Sequence, residues 1–210
     1  MESQICKPCR MVPKIYKSQR IESKRRMSNK KTWDEEMIEL FCDYDPASPP
    51  RRIRAPRETE ARLFRIWDVS QKFLILMNNI LVATSRDSMT PEELLAVLPN
   101  NSLDPSLQPI FMGLSDKTHA LSCMESGDGE LLLNLVERNI LDLYSSHEES
   151  KSFTFYSRSN NQEQTCCFES AAFPGWFMST STEINKPIRL SREGGPDITN
   201  FYCERKDPSD

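Results

Sequence analysis

"FESAAFPGWFMSTS", residues 168–181, sets three phenylalanines, a tryptophan and a methionine around a Pro-Gly step. The chain has only six glycines among 210 residues, and one of them stands here between Pro174 and Trp176. Proline fixes φ, and glycine accepts backbone angles that a Cβ forbids, so Pro174-Gly175 marks a tight turn. "TCCFESAAF" before it and "WFMSTS" after it both read as strands, which makes the segment a hairpin-like corner with a large apolar payload.

The texture around this corner is the same from Arg62 to the C-terminus. "RLFRIWDV", "FLILMN", "NILVAT", "LLAVLPN", "PIFMGLSD", "HALSCMES", "LLLNLVE", "FTFYSRS", "IRLSRE" and "NFYCERK" are short apolar or alternating runs. Asn, Asp, Ser, Gly or Pro bounds each of them. With the two strands at the corner this gives about a dozen strands at the spacing of an all-β sandwich or barrel. Only "TPEELLAV" (90–97) and "ERNILDLY" (137–144) approach helical spacing, and the second reads as a single turn between strands. Alternation puts Phe64 and Ile66 on one face of their strand and Arg65 and Trp67 on the other. It likewise separates Phe201 and Cys203 from Tyr202 and Glu204, leaving Trp67 and Tyr202 as aromatics on polar faces. Outward aromatics are where interfaces concentrate their energy.

Residues 1–56 differ in composition. Positions 10–31 are dominated by Lys and Arg, positions 33–45 ("WDEEMIELFCDYD") are acidic and partly apolar, and positions 46–56 are rich in Pro and Arg. Blocks without a sustained period read as a disordered extension, with one short helix near Trp33–Phe41. The extension carries 13 Lys and Arg against 8 Asp and Glu, whereas residues 57–210 carry 14 against 23. An acidic body argues against nucleic-acid or heparin binding by the domain itself. The basic cluster Lys24, Arg25, Arg26, Lys30 and Lys31 is the exception, with the composition of a nuclear-import or nucleic-acid patch.

Several function classes fall away. The longest apolar run, "FLILM" (73–77), is far short of the roughly 20 residues of a membrane helix, and "MESQICKPCRM" lacks a secretory h-region. Synthesis in the cytosol is therefore expected, where seven cysteines, an odd number, do not build a disulfide framework. Cys6-Lys-Pro-Cys9 has redox spacing but no strand before it and reads as unstructured thiols. His119 and His147 have no neighbours suggesting a triad or a metal site, so no enzyme activity, cofactor or metal is expected. Asn100-Asn101-Ser102 is a glycosylation sequon, idle in a chain that bypasses the secretory pathway.

The corner segment closely resembles the signature of the interleukin-1 cytokine family, in which F-E-S-x-x-x-P-G-W-F precedes the penultimate strand. The resemblance runs through residues 62–206: "FRIWDVSQK", "NNILVA", "VLPNNSLDPSLQPI", "ESKSFTFYSR" and "ITNFYCE" match in order. In pattern these are closest to the receptor antagonists of the interleukin-1 and interleukin-36 branches. The resemblance implies a β-trefoil of twelve strands over residues 57–210, a six-stranded barrel capped by three hairpins, with Phe168, Phe173, Trp176 and Phe177 filling the barrel end. It implies a monomeric ligand of an interleukin-1-family receptor ectodomain, with an accessory receptor chain recruited by agonists and not by antagonists. The matching receptor contacts are Trp67 and Gln71 of the first strand and Tyr202 of the last. Asn200 takes the position where a Lys favours antagonism and an Asp agonism. Ser85 and Asp87 replace a Tyr and a Gln, which points away from the primary interleukin-1 receptor.

The resemblance also implies leaderless release and trimming about nine residues before an aliphatic-x-Asp motif. Ile66-Trp67-Asp68 has that form, which sets the new terminus near Arg57, whereas Asp45 is a poor caspase site because Pro46 follows. The expected function is an extracellular modulator of inflammatory signalling, leaning antagonist. The alternatives are a pro-inflammatory agonist and a precursor acting in the nucleus. A carbohydrate-binding trefoil is disfavoured, because none of Trp33, Trp67 and Trp176 carries the Gln-x-Trp of trefoil lectins.

Overall fold

The computed structural model describes residues 31–43, 60–86, 91–160 and 163–206. Thirteen strands are formed: β1 (Arg62–Asp68), β2 (Lys72–Met77), β3 (Ile80–Ser85), β4 (Leu95–Pro99), β5 (Pro109–Leu114), β6 (His119–Glu125) and β7 (Leu131–Glu137), then β8 (Thr154–Asn160), β9 (Thr165–Ser170), β10 (Trp176–Ser179), β11 (Lys186–Pro187), β12 (Arg189–Arg192) and β13 (Phe201–Lys206). Among the described residues two α-helices accompany them, α1 (Trp33–Asp43) and α2 (Ile140–Ser146).

Six strands close on themselves. β1 pairs with β4, β4 with β5, β5 with β8, β8 with β9, β9 with β13 and β13 with β1, all antiparallel. No barrel strand is left with an open edge, which removes the usual site of strand-to-strand aggregation. The pairs β2–β3, β6–β7 and β10–β12 are hairpins inserted between successive barrel strands. Each third of the chain thus supplies barrel strand, hairpin, barrel strand, which is the β-trefoil expected from the sequence. The thirteenth strand is β11, a two-residue stub that pairs with β3.

The barrel interior follows the alternation of each strand. β1 reads buried at Phe64 and Ile66 and half-exposed at Arg65 and Trp67. Leu95 and Val97 of β4, Ile110 and Met112 of β5, Phe155 of β8, Phe168 of β9 and Phe201 of β13 complete the core. At the Pro174-Gly175 corner, Phe168 and Phe177 are buried, whereas Phe173 and Trp176 only pack against the core from its rim. Gly175 has φ +81° and its N–H donates to Glu169 Oε1 at 2.7 Å, so the corner needs the glycine for its backbone conformation. The segment 137–144 gives more than a turn: Asn139 caps a seven-residue helix, its side chain accepting from the Leu141 N–H at 2.8 Å.

The short helix expected near Trp33–Phe41 forms, but it does not belong to a free extension. The compact unit begins at Thr32, and α1 is an integral part of it. Trp33, Met37, Leu40 and Phe41 recur at helical spacing and turn one apolar stripe toward the barrel. Trp33 is 6 % exposed and Met37 and Leu40 are fully buried. The Trp33 ring packs edge-on against Phe64 and Phe168, at 4.9 and 5.6 Å between centroids, and its Nε1–H donates to Ser157 Oγ. The barrel end is therefore filled by α1 together with Phe168, rather than by the Pro174-Gly175 corner alone. Burial against a barrel more than twenty residues away in sequence decides this, and composition does not report it. Residues 1–30 and 44–59 lie outside the described residues.

Candidate functional site

The faces of β1 and β13 that point away from the core are in direct register. Trp67 stands opposite Tyr202, Arg65 opposite Glu204 and Leu63 opposite Lys206. The Trp67 and Tyr202 rings lie 5.7 Å apart, and Trp67 also stacks on Phe73 of β2 at 5.5 Å, with 19° between planes. The Arg86 guanidinium covers the other end of this row, 5.7 Å from the Phe73 ring. Trp67 and Tyr202 are half-exposed and Phe73 is nearly buried, so the row is a rigid aromatic ledge with one wet side.

Charges frame the ledge. Arg65 Nε lies 2.5 Å from Glu92 Oε2, Arg86 Nε 3.1 Å from Glu92 Oε1, and Arg65 Nη1 3.4 Å from Glu204 Oε2. Arg65 and Glu92 are themselves partly covered, so the pairs fix the outline of the ledge. The structure brings all four expected receptor residues together. Gln71 is exposed in the turn after β1, at φ +64°, and its N–H donates to the Asp68 carbonyl at 2.9 Å. Asn200 is exposed just before β13, and its carbonyl accepts from the Val69 N–H at 3.2 Å. Phe73, Arg86 and Arg65 were not singled out from the sequence. Phe73 opens the run "FLILM", which reads as uniform core, and only the β1–β2 pairing sets its ring on Trp67.

Asp68 explains why the Ile66-Trp67-Asp68 motif has its form. Ile66 is core, Trp67 faces outward, and Asp68 is fully buried. Asp68 Oδ1 accepts from the Ser70 and Lys72 N–H groups, each at 2.9 Å, closing the β1–β2 turn. Asp68 Oδ2 accepts from Thr180 Oγ1 at 2.6 Å and pairs with Lys72 Nζ at 2.8 Å. The carboxylate thus ties the first strand to the segment after β10, and it holds the turn that presents Gln71.

Of the processing and import residues, Arg57, Lys24, Arg25, Arg26 and Lys30 lie outside the described residues, as does Asp87. Lys31 is exposed at the head of α1, and Ser85 is exposed at the end of β3. Asn100 of the sequon is 1 % exposed, its Nδ2 donating to the Glu149 carbonyl at 2.7 Å and to Thr154 Oγ1 at 2.8 Å. Both of its amide protons are engaged inside the fold, so a glycan on this nitrogen is incompatible with the two bonds. Cys42, Cys123, Cys166, Cys167 and Cys203 are free thiols. Burial pushes Cys123 up to about 11, and it raises Cys166, which lies 2.8 Å from Cys203 Sγ, well above the usual thiol range. Cys123 and Cys166 are therefore inert core thiols rather than nucleophiles. A cleft of about 470 Å³, lined by Asp34, Gln108, Tyr156, Arg158, Glu169 and Pro174 among others, opens beside α1.

A closed six-strand barrel with three hairpin caps defines a β-trefoil, and its first and last strands carry the outward aromatic ledge. The family model for Interleukin-1 / 18 matches residues 84–203, and the chain belongs to that family as a cytokine. The mouse interleukin-36 receptor antagonist protein is 40 % identical over 155 residues, covering 70 % of this chain and 96 % of the relative. The horse interleukin-1 receptor antagonist protein is 37 % identical over 152 residues, covering 70 % and 81 %. Among solved structures, chicken interleukin-1 beta superposes with a TM-score of 0.60 at 27 % identity, covering 70 % of this chain and 97 % of that one.

Proposed function

We propose that the chain binds the ectodomain of an interleukin-1-family receptor through the outer face of β1 and β13, and that it blocks signalling there. The observation that carries the reading is the ledge Tyr202–Trp67–Phe73, flanked by exposed Gln71 and Asn200. Stacked, half-exposed aromatics held by a charged rim are the form that binding hot spots take, because little side-chain entropy is left to lose. The names of the relatives, receptor antagonists of two branches, favour antagonism. The absence of an aromatic at Ser85 favours a receptor other than the primary interleukin-1 receptor. The ligand acts as a monomer after non-classical release, and trimming near Arg57 exposes the active form.

The test is a panel of reporter cells, each carrying one receptor pair of the family. Purified chain, intact and trimmed near Arg57, is applied alone and against the cognate agonist. Suppression of the agonist without a signal of its own is the expected result. A signal from the chain alone would make it an agonist and show that Asn200 permits recruitment of the accessory chain. The nuclear reading rests on Lys24, Arg25, Arg26, Lys30 and Lys31. It requires a chain lacking residues 17–31 to leave nuclei where the intact chain enters them.

A further inference from the structure

The seat of α1 on the barrel is built like a binding site. The helix begins with a capping box: Thr32 Oγ1 accepts from the Glu35 N–H at 3.4 Å, while Glu35 Oε2 accepts from the Thr32 N–H at 2.8 Å. Asp34, Glu35 and Glu36 in the first turn suit the positive end of the helix dipole. These features satisfy the first turn of α1 from within its own sequence, and packing on the barrel supplies the rest. Its apolar stripe is then taken out of water completely at Met37 and Leu40 and almost completely at Trp33. The indole fills the space between Phe64 and Phe168, and its N–H is satisfied by Ser157.

A buried ionic clamp adds direction. Glu36 Oε2 lies 3.1 Å from Arg62 Nη1 and 3.3 Å from Arg205 Nη1, and the Arg62 Nη1–H also donates to the Glu36 carbonyl at 2.9 Å. Arg62 is on β1 and Arg205 on β13, the two strands that carry Trp67 and Tyr202. Lifting α1 would open a cavity beside Phe64, expose an apolar mouth and break a buried ion pair, each unfavourable in water. The barrel strands themselves begin at Arg62, and every strand pairing that closes the ring lies C-terminal to α1. The matches to the relatives cover 70 % of the chain, about the share held by residues 62–206, which α1 precedes.

We infer that the barrel end of this cytokine is a docking groove for an amphipathic helix, whose occupant is α1, and that α1 stays seated when the chain is cut between residues 44 and 59. The trimmed cytokine is then a two-chain species: α1 remains as a non-covalent plug, clamping β1 to β13 beneath the receptor face. Cleavage frees the new terminus near Arg57 without emptying the groove. The inference rests on the proposed trimming only for the event that cuts the chain, and its readout involves no receptor.

The test places the recognition sequence of a site-specific protease at residues 46–52 of the full chain. After complete cutting under native conditions, the protein is passed through a size-exclusion column at micromolar concentration and weighed by mass spectrometry. The expected result is co-elution of the α1 fragment with the barrel at one-to-one stoichiometry. In the same chain carrying Trp33→Ala and Met37→Ala, the retained fraction should fall at least tenfold. Separate elution of the wild-type fragment would overturn the inference whatever the double variant does. So would retention of the double-variant fragment as complete as that of the wild type. Retention of the plug together with silence on every reporter line would leave the groove standing and sink the receptor reading instead.

Discussion

Gly175 sits at φ +81° with no atom within 4 Å of where a Cβ would stand. The demand for glycine is therefore conformational and not steric, and the cost of another residue is that of the left-handed region alone. For Gly175→Val that cost is about 1–2 kcal/mol, and the melting temperature should drop by about 2–8 °C, read by calorimetry. Receptor affinity should not change, since the corner carries none of Trp67, Gln71, Asn200 and Tyr202. Cys123 supplies a pH signature of the core. Its thiol is raised by burial from 9.0 to about 11, so the folded state holds a proton that the unfolded chain releases. Stability is thus intact below pH 9 and falls as pH rises from 9 toward 11, by about 1.4 kcal/mol per pH unit for each such thiol. In denaturant titrations across that range, Cys123→Ala should lose stability less steeply than the parent. A parallel slope would mean that Cys123 ionises freely.

The strands and helices hold one another through a few polar contacts inside apolar surroundings. Asp68 is the sharpest case, because one carboxylate closes the β1–β2 turn, pairs with Lys72 and reaches Thr180 beyond β10. Removing one member of a buried ion pair costs about 3–5 kcal/mol, since the other charge stays behind without its counter-ion. Asp68→Asn keeps the shape and loses the charge. It should lower the unfolding free energy by an amount in that range, with a lower midpoint in denaturant, and it should loosen the turn that carries Gln71. A midpoint unchanged in Asp68→Asn would mean that the pair is not formed. The pattern Thr32-x-x-Glu35 before an apolar stripe was the sequence signal for α1 as a packed helix. It was overshadowed by the charge and proline content on both sides, because composition averages over a helix of only 11 residues.

For the molecule as a whole, trefoil symmetry makes the first and last barrel strands neighbours, and so assembles the proposed receptor face from residues more than 130 positions apart. Trp67→Ala and Tyr202→Ala should each weaken receptor binding by about 1 kcal/mol or more, a loss of fivefold or greater in surface-binding measurements. Both variants should melt close to the parent, because these rings are half-exposed. Unchanged affinity in both would remove the β1–β13 face from the interface. Phe73→Leu keeps an apolar side chain but not the stacking partner of Trp67, and should weaken binding through the posture of the indole.

The sequence by itself determined the strand content, the inward and outward faces of β1 and β13, the Pro174-Gly175 corner and the family. Each of these is written in a period of two, a turn dipeptide or a contiguous motif, all of which act over a few residues. Which strands meet was left to the tertiary structure: the closure of β1 on β13, the stacking of Phe73 on Trp67, the burial of Asp68 under Thr180 and the seating of α1 in the barrel end. These contacts join residues distant in sequence, and their free energy comes from surface removed from water only once the barrel has closed. No local pattern carries that term, so a segment that looks like a polar leader becomes part of the core.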